Sequence, residues 1–314
     1  MINRLVQHKY SPFTSEHTYN IVTDVKGLIC MSTVAMALDR TVPLSGLVTT
    51  FTLTLRGLLQ WRRLLVLLIF SIVPLIGVIV LRTVKPNLVP NDFLNFEFFG
   101  VLFYYSSVVA PLTILLLASG MIRDEQENQT LTYLFTSPIP RWALYLSKLV
   151  AAILVAWLLT IASMGVVMAS LWSGSGIVTA YPWQSRWLAL IPVTGLLICA
   201  NAGIFGLISV LLRPSLIIGV VYIALFEGFL ANFPFVLRKF TSVHYFQCIV
   251  CNWIGEQYRF QDGRNAIEWA LVKEVLPETQ ECVITLLSIF LVSTLLAMYF
   301  FTVREFRMKT PEGN

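Results

Sequence analysis

Charge is scarce in this chain: Asp, Glu, Lys and Arg make up 12% of its 314 residues, against 57% that are hydrophobic. Soluble domains carry about 25% charged residues, so a water-facing globule is excluded and the apolar excess requires lipid. Histidine is scarcer still, at His8, His17 and His244, too few for a histidine-rich metal site. No G-x-x-x-x-G-K-[ST] loop occurs, so the chain cannot cradle nucleotide phosphates in that way. H-E-x-x-H, G-x-S-x-G and kinase signatures are also missing, which removes support for ordinary hydrolase readings. Strand-like alternation is absent, excluding a membrane β-barrel, and no internal repeat supports the inverted-repeat design of many secondary transporters.

Long apolar runs dominate what is present. Runs near the roughly 20 residues needed to cross a hydrocarbon core of about 30 Å fall at Leu64 to Leu81, Phe98 to Ser119, Trp142 to Trp172, Trp187 to Leu212, Leu216 to Leu237 and Cys282 to Val303. Lipid leaves no partner for an unpaired backbone group, so these runs must be helices. The expected fold is all-α: a polytopic membrane protein with about six transmembrane helices.

With six spans, the short-loop cations gather on one side: Arg56, Arg62 and Arg63, then Arg123, Arg141 and Lys148, then Arg213, then Arg304, Arg307 and Lys309. The positive-inside bias makes that side cytoplasmic and puts both termini there. The net charge of +5 is thus an orientation signal and no sign of nucleic-acid binding. The other side is expected to hold the loops at 82–97 and 173–185 and an extracytoplasmic segment, 238–281, whose cations are matched by Glu256, Asp262, Glu268, Glu274, Glu278 and Glu281.

Ahead of the first span, the short, late apolar piece Gly27 to Leu38 is followed by Asp39 and Arg40, which does not suit a cleavable signal peptide. Residues 1–44 read as a cytoplasmic N-terminal segment, disordered or ordered. Residues 45–63 place Leu47, Phe51, Leu55, Leu58 and Leu59 at helical spacing and end in Trp61, Arg62 and Arg63. That pattern predicts an interfacial helix lying on the cytoplasmic leaflet. Residues 304–314 form a cytoplasmic tail.

The most specific stretch lies at 122–140, between spans two and three. It opens with Arg123, Asp124, Glu125 and Glu127, continues with Thr130, Leu131, Leu134 and Phe135, and breaks at Ser137-Pro138-Ile139-Pro140 before Arg141. Acidic residues in the first turns, apolar ones at helical spacing and a proline stop predict a short amphipathic helix. The arrangement E-x-E-x-x-T-L-x-x-L, then S-P-I-P-R, then Lys148 opening the next span, resembles the ABC type-2 permease family. Position 129 departs from it, with Gln where such proteins usually carry Gly.

That resemblance implies a coupling helix that docks onto a separate ABC ATPase, with Glu125 and Glu127 the residues for partner contact. Docking needs charge for register and an apolar face to seat; Leu131, Leu134 and Phe135 suit that face or packing against the bundle. It also implies a second permease copy, as homodimer or heterodimer, and ATP and Mg bound by the partner and not by this chain. The segment Phe226 to Pro234 followed by Ser242 to Tyr245 is similar to the branch that includes membrane subunits of copper-assembly and sodium-efflux systems.

Polar residues inside the spans are the remaining candidates. Glu227 is costly in hydrocarbon and must face protein or water; it reads as a pathway or proton-linked group, or, preferably, as a cap on a broken helix near the outer surface. Asn201, ahead of Gly203 and Gly206, suits close helix packing with an interhelical hydrogen bond, and Asn232 lies near Glu227 in sequence. His244, Cys248 and Cys251 form H-x-x-x-C-x-x-C, open to a soft metal, a disulfide or an ordinary interfacial helix; the last is preferred and no metal is expected.

The sequence therefore reads as the non-enzymatic permease subunit of an ABC transporter, an exporter half in a prokaryotic inner membrane. The alternative is an ATPase-linked scaffold or mechanotransmitter acting on an envelope partner through 238–281 without substrate flux. An intramembrane enzyme using Glu227 and His244 is the weakest reading, since no second catalytic group is placed.

Overall fold

The computed structural model describes residues 44–59, 61–84, 90–127, 140–173, 183–212, 214–230, 236–254 and 277–303. All its described elements are helical: α1 (Leu44–Leu58), α2 (Trp61–Val84), α3 (Pro90–Asn95), α4 (Ala110–Glu127), α5 (Arg141–Trp172), α6 (Trp183–Leu211), α7 (Ser215–Tyr222), α8 (Ser242–Ile254) and α9 (Thr279–Val303). Between α3 and α4 the chain stays helical but widens into π-helix over Phe96–Phe103 and Tyr105–Val109, and α7 continues as π-helix over Ile223–Phe229. The chain is a multi-pass all-α membrane protein, as its apolar runs require.

Among the described residues, five helical stretches are long and apolar enough to cross a membrane: 65–84, 93–120, 141–172, 183–211 and 279–303. The expected fifth span, Leu216 to Leu237, is the exception: its helix is the short stretch Ser215–Phe229. A crossing is still made there, in two pieces. The Arg141 guanidinium donates to the carbonyl of Thr302 (3.4 Å), which puts the start of α5 and the end of α9 at one end of the bundle. At the other end, Asn252 Nδ2 donates to the Pro277 carbonyl (2.9 Å) just before α9. Ser215 follows α6 at the Arg141 end and α8 finishes at the opposite end, so α7 and α8 together carry the chain across.

α6 is the hub, packing on α4, α5, α8 and α9. Against α5 it makes a reciprocal clasp. Trp157 Nε1 donates to the Ile191 carbonyl (3.0 Å) and Trp187 Nε1 to the Ile161 carbonyl (3.3 Å). Each indole lies over a glycine one turn after that carbonyl, Gly195 and Gly165 respectively, where an added Cβ would sit 3.0 Å from the indole nitrogen. A missing side chain lets each ring reach a helix carbonyl that a larger residue would cover.

Two boundaries differ from expectation. Trp61, Arg62 and Arg63, expected to end an interfacial helix over 45–63, instead open α2, and the preceding helix α1 ends at Leu58. Leu58 is buried and Phe51 and Leu55 partly so, while Val48 and Leu53 are exposed, so α1 lays one stripe against α5. Residues 242–254, expected in an extracytoplasmic segment, form α8 within the bundle, against α6 and α9. Its apolar residues Val243, Phe246, Ile249 and Val250 are buried, and that burial draws the segment in.

Candidate functional site at the broken crossing

The site is built where the fifth crossing breaks. Depth follows from α6: Asn201 stands 10 residues from Leu211 and 18 from Trp183, or about 15 Å and 27 Å along a helix rising 1.5 Å per residue. Asn201 is therefore deep in the membrane, in the middle third of its helix. Its Oδ1 lies 3.1 Å from Ser242 Oγ at the start of α8.

Glu227 meets the same serine. Its Oε1 accepts from Ser242 Oγ (2.7 Å) and the Ser242 amide (3.4 Å), and its Oε2 accepts from the Val243 amide (3.1 Å). Tyr222 Oη lies 3.5 Å from Oε1. Glu227 and Asn201 are both fully buried. The carboxylate thus caps α8 from another helix, satisfying two otherwise orphaned amides where the helix dipole favours negative charge.

One serine hydroxyl holds one proton and cannot donate to both Asn201 and Glu227. Asn201 Nδ2 has no hydrogen-bond partner among the described residues. Turning the Asn201 amide over removes the proton conflict: Nδ2 then donates to Ser242 Oγ, whose proton goes to Glu227, giving a continuous Asn201–Ser242–Glu227 chain. The π-helical turn at Ile223–Phe229 carries Glu227 and packs against the π-helical turn at Tyr105–Val109 of the second span. Short π segments insert an extra residue per turn and recur at functional sites.

The cap expected for Glu227 is present, but at mid-membrane depth and not near the surface. The helix-packing role of Asn201 holds in part: Gly203 and Gly206 are close-approach points, where an added Cβ would collide with Ser293 Oγ and Tyr145 Oη respectively, while the hydrogen bond of Asn201 goes to α8. Asn232 lies outside the described residues. His244 and Cys248 touch, with Cys248 Sγ 3.7 Å from Nε2, and Cys248 and Cys251 are both buried in α8 as thiols, not joined in a disulfide.

Of the coupling residues, Arg123, Asp124, Glu125 and Glu127 fall in the last two turns of α4, whose helix runs on from the second span to Glu127. They stand on a helix continuous with the second span, whereas the sequence suggested a separate short helix over 122–140, of which 128–139 lie outside the described residues. Thr130, Leu131 and Leu134 lie outside the described residues. Arg141 opens α5 and is exposed.

Sequence reasoning missed a second cluster, at the end opposite Arg141. Glu97 accepts from Arg186 Nε (2.8 Å), Arg186 Nη2 (2.7 Å) and Trp172 Nε1 (2.7 Å). The Arg186 guanidinium also lies 4.9 Å from the Trp172 ring centroid, and both charged residues are 0% exposed. This fork ties the second, third and fourth spans. Beside it, Arg82 Nη2 donates to the carbonyls of Leu171 and Ser173, closing the end of α5. The signal was an acid and a base, each immediately before an apolar run, and only the fold pairs them.

Comparison with known proteins gives one informative result: the family model described as ABC-2 family transporter protein matches residues 58–231. No curated protein matches the chain. The matched stretch runs from the end of α1 to just past Glu227.

Proposed function

Because the chain belongs to the ABC-2 transporter family, whose members are membrane subunits of ABC transporters, we propose that it is the permease half of an exporter, driven by a separate ATPase. ATP and Mg then belong to that partner, and two permease copies enclose the pathway. The Arg141 end of the bundle, with both termini, faces the cytoplasm of a prokaryotic cell, and the membrane is the inner one.

One observation carries this reading: the second span is unbroken helix from Pro90 to Glu127, roughly 55 Å of rod at 1.5 Å per residue. Its polar end holds Arg123, Asp124, Glu125 and Glu127, and its middle packs on the π-helical turn that carries Glu227. Force applied at the acidic end by an ATPase reaches the broken crossing through that rod. Helices transmit displacement well because their packed contacts are bistable and not continuously deformable.

The test is affinity purification from the native host in mild detergent, with and without the double change Glu125→Ala and Glu127→Ala. An ATPase recovered with the unmodified chain and lost from the double variant supports the coupling role. If cross-linking recovers no ATPase with the unmodified chain, the transport reading is wrong. An ATPase that stays bound to the double variant removes these two carboxylates from the interface.

A further inference from the structure

The chain's way into α8 carries two cations at an unusual depth. Val236–Phe240 is a short 3-10 helix packed on α8, and Thr241 Oγ1 and the Thr241 amide both donate to the Arg238 carbonyl (2.8 and 3.1 Å). Arg238 Nη2 donates to Gln247 Oε1 (3.1 Å), little more than one turn beyond Ser242. Ser242 touches Asn201, so Arg238 and Lys239 lie between the depth of Asn201 and a level about 8 Å farther from the Arg141 end. That is the middle of the membrane.

Lys239 is exposed in the protomer and Arg238 partly so. Among the described residues neither is paired with a carboxylate, and Glu227, the acid of the broken crossing, is occupied by α8 and Tyr222. A cation facing hydrocarbon at this depth is costly. Snorkelling offers no escape, since a lysine arm of about 6 Å falls well short of either headgroup layer. The exposed face must therefore meet water. Two buried donors point the same way: Arg238 Nε and Gln247 Nε2, on a hydrogen-bonded pair of side chains, have no acceptor among the described residues. Both are N–H groups, and the complement they lack is an acceptor.

We propose that Arg238 and Lys239 line a water-filled pathway halfway through the membrane and receive the acidic group of an anionic substrate. This rests on the permease reading and gives it a substrate class. Arg238 supplies directed N–H donors to the acidic oxygens, and Lys239 adds a mobile point charge beside it.

The experiment is thiol labelling of the full chain in lipid nanodiscs, which leave both membrane faces open. Lys239→Cys is compared with Leu291→Cys, an exposed apolar position in the middle of α9, and with the unmodified chain, whose native thiols set the background. Thiosulfonate reagents react with the thiolate, which forms only in water, so Lys239→Cys should react about tenfold faster than Leu291→Cys. With each rate divided by that reagent's rate on a small free thiol in solution, the anionic sulfonatoethyl reagent should outpace its trimethylammonium counterpart by about threefold, and adding Arg238→Gln should abolish that preference. Equal, slow labelling at both positions would overturn the pathway, and a preference for the cationic reagent would overturn the anion site.

The source of the acidic group is read from protection. Slowing by decyl phosphate but not by inorganic phosphate identifies an amphipathic anion; equal slowing by both identifies a small one; protection by neither defeats the substrate class. No ATPase is needed, so a negative result leaves the coupling experiment untouched, and a failed purification leaves the labelling interpretable.

Discussion

At the scale of residues, two buried carboxylates hold the molecule in different ways. Glu97 is neutralised by Arg186 in a dry ionic fork, where removing one partner leaves the other charge uncompensated. Arg186→Met should therefore cost about 3 kcal/mol or more. The double variant Glu97→Leu with Arg186→Met should recover much of that loss, read as the unfolding midpoint in detergent. Recovery of none would mean the fork contributes more than mutual neutralisation. Glu227 has no cation among the described residues and is held by amides and hydroxyls instead. Glu227→Gln keeps an acceptor for one amide and should cost about 1 kcal/mol, near the value of an N-cap. Glu227→Leu orphans both amides and should cost about 2 to 4 kcal/mol. Equal midpoints for these two variants would show that the cap does not hold α8.

At the scale of elements, the clasp between α5 and α6 depends on absent side chains. Filling the space over Gly195 forces the Trp157 indole away from the Ile191 carbonyl. Gly195→Val is expected to destabilise by about 1 to 3 kcal/mol, as overpacking does. Trp157→Phe keeps the ring and loses only the hydrogen bond, so about 1 kcal/mol is expected. Thermal unfolding of the two variants checks the order, and a costlier Trp157→Phe would place the clasp's strength in the bond and not in the fit. The broken crossing is also an element-scale device. A half-helix has free amides at its start, and α8 is stable at mid-depth because an acid on the neighbouring half-helix meets them.

At the scale of the whole molecule, the charges inside the membrane divide by what surrounds them. The faces of α2 and α9 are broad and apolar, with Ile69, Val73, Ile76, Leu291 and Leu295 exposed, and they meet lipid or another copy. Leu291→Arg, at the centre of α9, should cost about 2.5 to 3.5 kcal/mol on insertion and lower the amount of chain recovered in membranes. Lys239, at comparable depth, is native. Reversing the contrast, Lys239→Leu should leave membrane yield unchanged. A drop in yield for Lys239→Leu as large as that for Leu291→Arg would show that Lys239 supports folding and not a wet surface.

The sequence alone determined class and composition of the fold: membrane residence, helical spans, the missing nucleotide loop and the polar stretch after the second span were all legible. Each follows from local rules, since hydrophobic length and backbone satisfaction act within one segment. Apolar length could not distinguish one continuous span from two half-helices, because the run from Leu216 to Leu237 is apolar apart from Glu227 and Asn232. What satisfies the half-helix that follows is a contact of Glu227 with Ser242 and Val243, 15 and 16 residues away. The pairing of Glu97 with Arg186 across 89 residues, the clasp of Trp157 and Trp187, and the mid-membrane depth of Arg238 and Lys239 belong to the same kind. Partners distant in sequence satisfy these polar groups, and only the tertiary structure decides which partners those are.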